Sequence, residues 1–195
     1  MSEVRPGSLL LATPSLVDPH FADTVVLVLD VDAGGSLGVV LNRPTDLPVA
    51  EVLEQWSGLV AEPEVLFEGG PVEANGALAL VLRRSTDHEP DDVLGLRDLD
   101  VPDDTLFQGL ALLDLDTPVE LVAAEVAGLR IFAGYAGWGA GQLDREIEEG
   151  SWYVVPGAAP DAFRADTSTL WRDVLRRQPG GLAWLSTRPA DVDLN

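Results

Sequence analysis

The sequence predicts an α+β fold in a single domain spanning residues 1–195. Short aliphatic runs bounded by turn residues come early in the chain, and helical patterns lie between the later strands. A length of 195 residues is typical of one domain, and 46% hydrophobic with 23% charged residues is a globular composition. No repeat or long linker divides the chain. This order favours α+β over a parallel doubly wound sheet.

The first third of the chain predicts a sheet that begins with a hairpin. Residues 8–12 and 24–30 are aliphatic runs typical of buried strands. Residues 37–42 follow a turn-forming stretch at 32–36, and this spacing predicts a hairpin with Ser36 in its turn. Pro44 is expected to end the second strand because proline has no N–H to donate.

A helix and two strands are predicted next. Residues 49–56 place apolar side chains at helical spacing, which predicts the first helix. Residues 65–68 and 77–83 read as strands that are bridged by a glycine-proline turn and a polar loop. Residues 85–104 carry many acids and are predicted to form a solvated loop.

The second half predicts alternating strands and helices. Strands are expected at residues 106–108 and 110–113. Thr117 and Glu120 have the spacing of a capping box, which predicts a helix that reaches Ala127 and stops at Gly128. The expected order then ends with a central strand at 129–135, a glycine loop, a helix at 142–149, a strand at 152–155 and an amphipathic helix at 170–178.

Composition excludes several kinds of chemistry and disfavours several partners. All 12 basic residues are arginines, and the chain has no lysine or cysteine. Schiff-base and thiol catalysis, disulfides, cysteine zinc sites and a Walker lysine are therefore excluded. A net charge of −21 repels polyanions, so direct nucleic-acid binding is disfavoured. The same charge opposes binding to anionic lipid, and no apolar run is long enough to span a membrane. We expect a cytoplasmic protein, because the N-terminus lacks the pattern of a signal peptide.

Two glycine-rich segments invite comparison with catalytic or phosphate-binding motifs. Residues 34–38 match G-x-S-x-G around Ser36, but a strand follows instead of the helix of a nucleophile elbow, so a hairpin is the simpler interpretation. Residues 129–142 combine strand, glycines and helix, yet they do not match a known phosphate loop. Asp144 and Glu146 would repel a phosphate at that helix start. Close packing around Trp138 is therefore favoured over anion binding.

Two polar patterns are weaker candidates for ligand sites. The pairs Asp114/Asp116 and Asp191/Asp193 present carboxylates on one face if extended, but they lack the spacing of a calcium loop. Asn42-Arg43-Pro44 follows an apolar strand. We favour a structural role there, in a turn with an arginine ion pair, over a role in which the guanidinium binds a carboxylate ligand through two N–H groups. We predict no metal site and no cofactor.

These segments together resemble the YqgE/AlgH family of bacterial proteins. The resemblance rests on Gly35-Ser-Leu-Gly-Val-Val-Leu-Asn-Arg-Pro44, on Gly69-Gly-Pro-Val72, on Gly134-Tyr-Ala-Gly-Trp-Gly-Ala-Gly-Gln-Leu-Asp-Arg-Glu-Ile147, and on Trp152 and the terminal Asp-Leu-Asn195. It implies a bent, mixed or antiparallel sheet with partly barrel-like closure, surrounded by helices. Some members of this largely uncharacterised family are labelled transcriptional regulators. The resemblance identifies no catalytic residue. Where the family often has Glu-His before the hairpin turn, this chain has Asp30-Val31, and the histidine often found in the strand after Gly-Gly-Pro-Val is missing from residues 76–81.

The preferred hypothesis is a non-catalytic cytoplasmic binding or regulatory module that contacts a protein or a small-molecule ligand. The alternative is an enzyme of unrecognised class, for example a hydrolase that uses Ser36 or carboxylates. The oligomeric state is left open. The residues expected to line the binding surface are Asn42, Arg43, Pro44, Gly69, Gly70, Pro71, Gly137, Trp138, Gly141 and Gln142.

Overall fold

A curled sheet with helices packed around it forms the body of the molecule. The computed structural model describes residues 4–84, 93–102 and 108–187. In these residues the strands are β1 (Ser8–Ala12), β2 (Val25–Asp32), β3 (Gly35–Val40), β4 (Pro44–Pro48), β5 (Val65–Glu68), β6 (Val72–Arg83), β7 (Leu96–Asp98), β8 (Leu110–Leu113), β9 (Val126–Gly139) and β10 (Trp152–Pro156).

The helices are short and occupy the connections and the C-terminal third. They are α1 (Val49–Val52), a 3-10 helix (Glu54–Leu59), α2 (Val119–Val122), α3 (Gln142–Glu148), α4 (Ala159–Phe163), α5 (Leu170–Arg176) and α6 (Leu182–Leu185). None of the helices in the described ranges has the length and apolar character needed to cross a membrane. The α+β class expected from the sequence is confirmed.

Strand β9 holds the sheet together because it pairs along both of its edges. The strand order is β10-β1-β2-β3-β9-β6-β8-β7, and β4 and β5 lie off this path. One edge of β9 pairs antiparallel with β6. The other edge pairs first with β5, in parallel, and then with β3, in antiparallel. The sheet is therefore mixed, and it curls around this long strand as expected.

The first two strands read as continuous aliphatic runs because both of their faces are buried. Leu9 and Leu11 lie in one apolar cluster, and Leu10 and Ala12 lie in another. Successive side chains of a strand point to opposite faces, so the sheet has a core on each side here. Helices α4 and α5 contribute Ala162 and other apolar side chains to the first of these clusters.

A buried arginine lies in the middle of β9. The side chain of Arg130 has no solvent exposure. Its Nη1 donates to the carbonyl of Arg164 at 3.1 Å and its Nη2 donates to the carbonyl of Glu62 at 2.6 Å. The guanidinium lies 4.2 Å from the centre of the Phe67 ring, and burial lowers the pKa of Arg130 to about 10. Arg130 thus ties the segment before β5 and the segment after α4 to the central strand.

The region after the hairpin differs from the prediction. Residues 49–56 form only the single turn of α1 followed by the 3-10 helix, because the chain changes direction at Leu53 between the two. Pro44 was expected to end the second strand of the hairpin, but it is the first residue of strand β4, where it pairs with Phe67. A proline is tolerated at the first residue of a strand. Strand β6 begins at Val72, so the expected polar loop before residue 77 is the irregular first part of that strand.

The predicted helix after residue 117 is also wrong in its length and its cap. Helix α2 ends at Val122, and Ala127 already belongs to β9. Thr117 makes no capping hydrogen bond. Its side chain is buried against Gly95, where a Cβ would overlap the Thr117 hydroxyl oxygen. Pairing of β9 with β6 takes precedence over helix propensity here.

Three predicted segments lie partly or wholly outside the described residues. Of the acidic segment 85–104, only 93–102 is described, and it contains β7 with Leu96 and Leu99 buried. That described part is therefore packed against the sheet instead of forming a solvated loop. Residues 106 and 107 of an expected strand, and the terminal pair Asp191/Asp193, lie outside the described ranges.

Candidate functional site

The glycine-tryptophan segment forms the end of a strand. β9 continues to Gly139, and only two residues separate it from α3, so the predicted glycine loop is wrong. Gly134 has a φ of +69°, and a Cβ there would lie 2.5 Å from the carbonyl oxygen of Gly70. The glycines therefore permit close approach of two backbones within the sheet, which is the packing role favoured from the sequence.

Trp138 is held in a cluster that locks α3 onto the sheet. The indole N–H groups of Trp138 and Trp152 both donate to Oε2 of Glu146, each at 2.9 Å. Phe21 stacks against Trp138 with ring centres 6.0 Å apart. Gln142 donates to the other Glu146 oxygen at 2.9 Å, and its own Oε1 accepts from the backbone N–H of Gly139 at 3.1 Å. Trp138, Gly139 and Gln142 of this segment therefore make contacts that hold α3 against the sheet.

The side chains of Asn42 and Arg43, which follow β3, bond to other residues of the chain. Oδ1 of Asn42 accepts from the N–H of Val25, and its Nδ2 donates to the carbonyl of Asp23, both at 2.9 Å. Nη2 of Arg43 donates to the carbonyl of Pro19 at 2.9 Å, and its Nη1 lies 3.8 Å from Glu68. These contacts fasten the loop between β1 and β2 to the sheet, as turn chemistry with an ion pair predicts.

The glycine pair after β5 is packed against β9. The N–H of Gly69 donates to the carbonyl of Ala133, and its own carbonyl accepts from Val40. Gly70 has a φ of +151°, and a Cβ there would overlap the carbonyl group of Tyr135. Pro71 follows at an exposed position. No side chain larger than hydrogen fits at Gly70 without a shift of backbone.

A cavity lies between the tip of the β2–β3 hairpin and helix α3. Its volume is about 420 Å³. Apolar side chains from the N-terminal segment, β2 and α3 share its lining with two carboxylates and with backbone from β3 and β9. The lining residues are Val4, Val31, Asp32, Gly35, Ser36, Gly139, Gly141, Leu143, Asp144 and Ile147.

A second cavity adjoins the first and is wider open to solvent. Its volume is about 570 Å³. Tyr135 and Trp138 of β9 and two acidic residues of β2 contribute to its walls. The lining residues are Asp30, Asp32, Gly34, Gly35, Ser36, Leu37, Val72, Tyr135, Gly137 and Trp138. The two cavities share Asp32, Gly35 and Ser36. They open on opposite faces of the sheet, because Leu143 and Ile147 of the first pack with the apolar cluster of Leu10, whereas Leu37 and Tyr135 of the second pack with that of Leu9. We call these two cavities around the hairpin tip, taken together, the hairpin groove.

The hairpin groove includes some of the predicted site residues and leaves out others. Gly137, Trp138 and Gly141 line it. Gly69 and Gly70 lie beside the neighbouring residues of β9, and Gln142 contacts Gly139. Asn42, Arg43 and Pro44 follow the end of β3 that points away from the hairpin tip. Asp30, Asp32, Tyr135 and Asp144 were not among the predicted site residues; the acidic hairpin next to a glycine-rich strand was their only sequence signal.

The groove is acidic. Asp30, Asp32 and Asp144 line it, and none of the described lining residues is an arginine or a histidine. Oδ1 of Asp32 accepts from the N–H groups of Gly34 and Gly35, at 2.6 and 3.1 Å, which closes the hairpin turn. The carboxylates thus add to the overall charge of −21 in a recessed place.

Ser36 occupies a position unlike that of an activated nucleophile. It lies within β3, paired with Val31 on one side and Trp138 on the other, whereas the turn itself consists of Ala33 and Gly34. The expectation that Ser36 lies in the turn is therefore wrong. A nucleophile elbow needs a strand-to-helix turn, and β3 continues as a strand. Within the described ranges, no group of three or more acidic or histidine side chains is arranged to hold a metal ion.

Fold and groove together define a single-domain α+β protein with a curled mixed sheet and an acidic groove at one hairpin tip. A family model described as AlgH-like matches residues 9–183, and the chain belongs to this family. The resemblance recognised in the sequence is confirmed.

Relatives match over nearly the whole chain. A UPF0301 protein from Streptomyces coelicolor is 48% identical, and the match covers 100% of this chain and 98% of the relative. A crystal structure of a protein from Corynebacterium diphtheriae has a TM-score of 0.86 at 32% identity, covering 96% of this chain and 94% of that one. The solution structure of the AlgH protein from Pseudomonas aeruginosa has a TM-score of 0.65 at 25% identity, covering 98% and 100%.

Proposed function

We propose that this protein is a non-catalytic binding or regulatory module of the cytoplasm that acts through the hairpin groove by contacting a protein or a small molecule. The observation that carries the proposal is that residues of the hairpin tip and of the Gly137–Gly141 segment line both cavities. A recessed surface of several hundred Å³ with apolar and polar lining is the usual form of a binding site.

The chemistry of the groove favours binding over catalysis. Carboxylates, backbone groups, apolar residues and one serine are among the described residues that line it, and His20, the histidine in the described ranges, is not. Nucleophilic catalysis by serine requires a base within hydrogen-bond reach and a third group that orients the base. The groove supplies contacts and charge, which are sufficient for recognition.

Regulation by direct DNA contact is not part of the proposal. Binding to DNA gains free energy by releasing counterions when cations neutralise phosphates. The chain carries 33 acids against 12 bases, and the described groove residues are acidic. Affinity for duplex DNA measured at about 50 and about 200 mM salt tests this point, and submicromolar binding with a steep negative salt slope would contradict it.

The binding proposal is tested by NMR titration of the isotopically labelled protein with a diverse library of small molecules and peptides. We expect ligands to shift the amide signals of Ser36, Gly137 and Gly141 more than those of the remaining chain. Gly139→Leu places a side chain at the groove where a Cβ meets only Gln142, at 3.9 Å. This variant should lose the shifts, while the matched control Gly58→Leu, at a glycine with no neighbour within 4 Å of its Cβ, should keep them.

The alternative function is hydrolysis at the same groove, because Ser36 lines both of its cavities. A panel of ester, amide and phosphate substrates measures it with the wild type, Ser36→Ala and Asp30→Asn. Activity that Ser36→Ala or Asp30→Asn abolishes without changing stability would replace the binding proposal with the catalytic one. Equal background rates in all three proteins would remove the serine version.

A further inference from the structure

We draw no further inference here: the strongest candidate, the first cavity between the tip of the β2–β3 hairpin and helix α3, belongs to the site already described, and nothing in the structure shows what covers its apolar walls and its exposed carboxylates.

Discussion

Replacing Glu146 with alanine should destabilise the protein because two buried indole groups depend on this one carboxylate. Trp138 is 5% exposed and Trp152 is 4% exposed, and both donate to Oε2 of Glu146 at 2.9 Å. A buried donor left without an acceptor costs about 1–3 kcal/mol, so two donors give about 2–6 kcal/mol. Glu146 is half-buried and water reaches it, so we expect about 2–4 kcal/mol.

Urea unfolding followed by far-UV circular dichroism measures this loss without depending on tryptophan emission. Glu146→Gln keeps an oxygen that both indoles can reach but loses the charge, so it should cost about 1 kcal/mol. Glu148→Ala, at an exposed position on the same helix, should stay within about 0.5 kcal/mol of the wild type. Equal stability of Glu146→Ala and Glu148→Ala would refute the reasoning, since the indoles would then have other acceptors.

Three further variants test other contacts by the same unfolding measurement. Gly70→Ala should cost at least about 3 kcal/mol, because its Cβ would overlap the Tyr135 carbonyl; a cost below about 1 kcal/mol would contradict this geometry. Arg130→Lys should cost about 2–4 kcal/mol, because one ammonium cannot bond to both carbonyls that the guanidinium reaches. Unchanged stability would show that water or another group takes over the two lost hydrogen bonds. The Thr169 hydroxyl and the Arg164 guanidinium hold the pKa of Asp173 below its usual value. The ionised carboxylate therefore adds to the free energy of unfolding above about pH 4, and this stabilisation is lost as the pH falls through the lowered pKa. Asp173→Asn should therefore flatten the acid side of the curve of stability against pH, and an unchanged curve would contradict the assignment.

The strands were the most predictable part of the fold. Residues 8–12 and 65–68 form strands with the predicted bounds, because they are short apolar runs between turn residues. The helix at α3 was also predicted to within one residue, since Gly150 stops it with a φ of +82°. The local sequence pattern was enough to predict an element wherever that pattern agreed with the tertiary surroundings of the segment.

Helix ends and glycine-rich stretches were less predictable. Thr117 and Glu120 have the pattern of a helix cap, but Thr117 packs against Gly95 and the chain enters β9 a few residues later. The glycines of residues 134–139 resemble a loop in isolation. They are strand residues because the chain that faces them, including Gly70, comes close only after folding.

The candidate site was predictable only in part. Gly137, Trp138 and Gly141 line the groove, and their unusual pattern drew attention to them. Asn42 and Arg43 were expected beside them, but these side chains bond to the loop before β2 and, for Asn42, also to the first residue of β2. A polar group after a strand gives no indication of whether the chain itself or a ligand will satisfy its hydrogen bonds.

Composition alone determined the exclusion of lysine and cysteine chemistry and the strongly anionic character of the molecule, since these depend on which residues are present. The apolar runs determined most strands, since period and length are local properties. Tertiary structure alone decided that Glu146 accepts hydrogen bonds from two indoles, that Arg130 is buried and bonded to two carbonyls, and that Asp30 and Tyr135 line one cavity. Each of these contacts joins residues from separate elements, and their distance in space is set only when the sheet curls around β9.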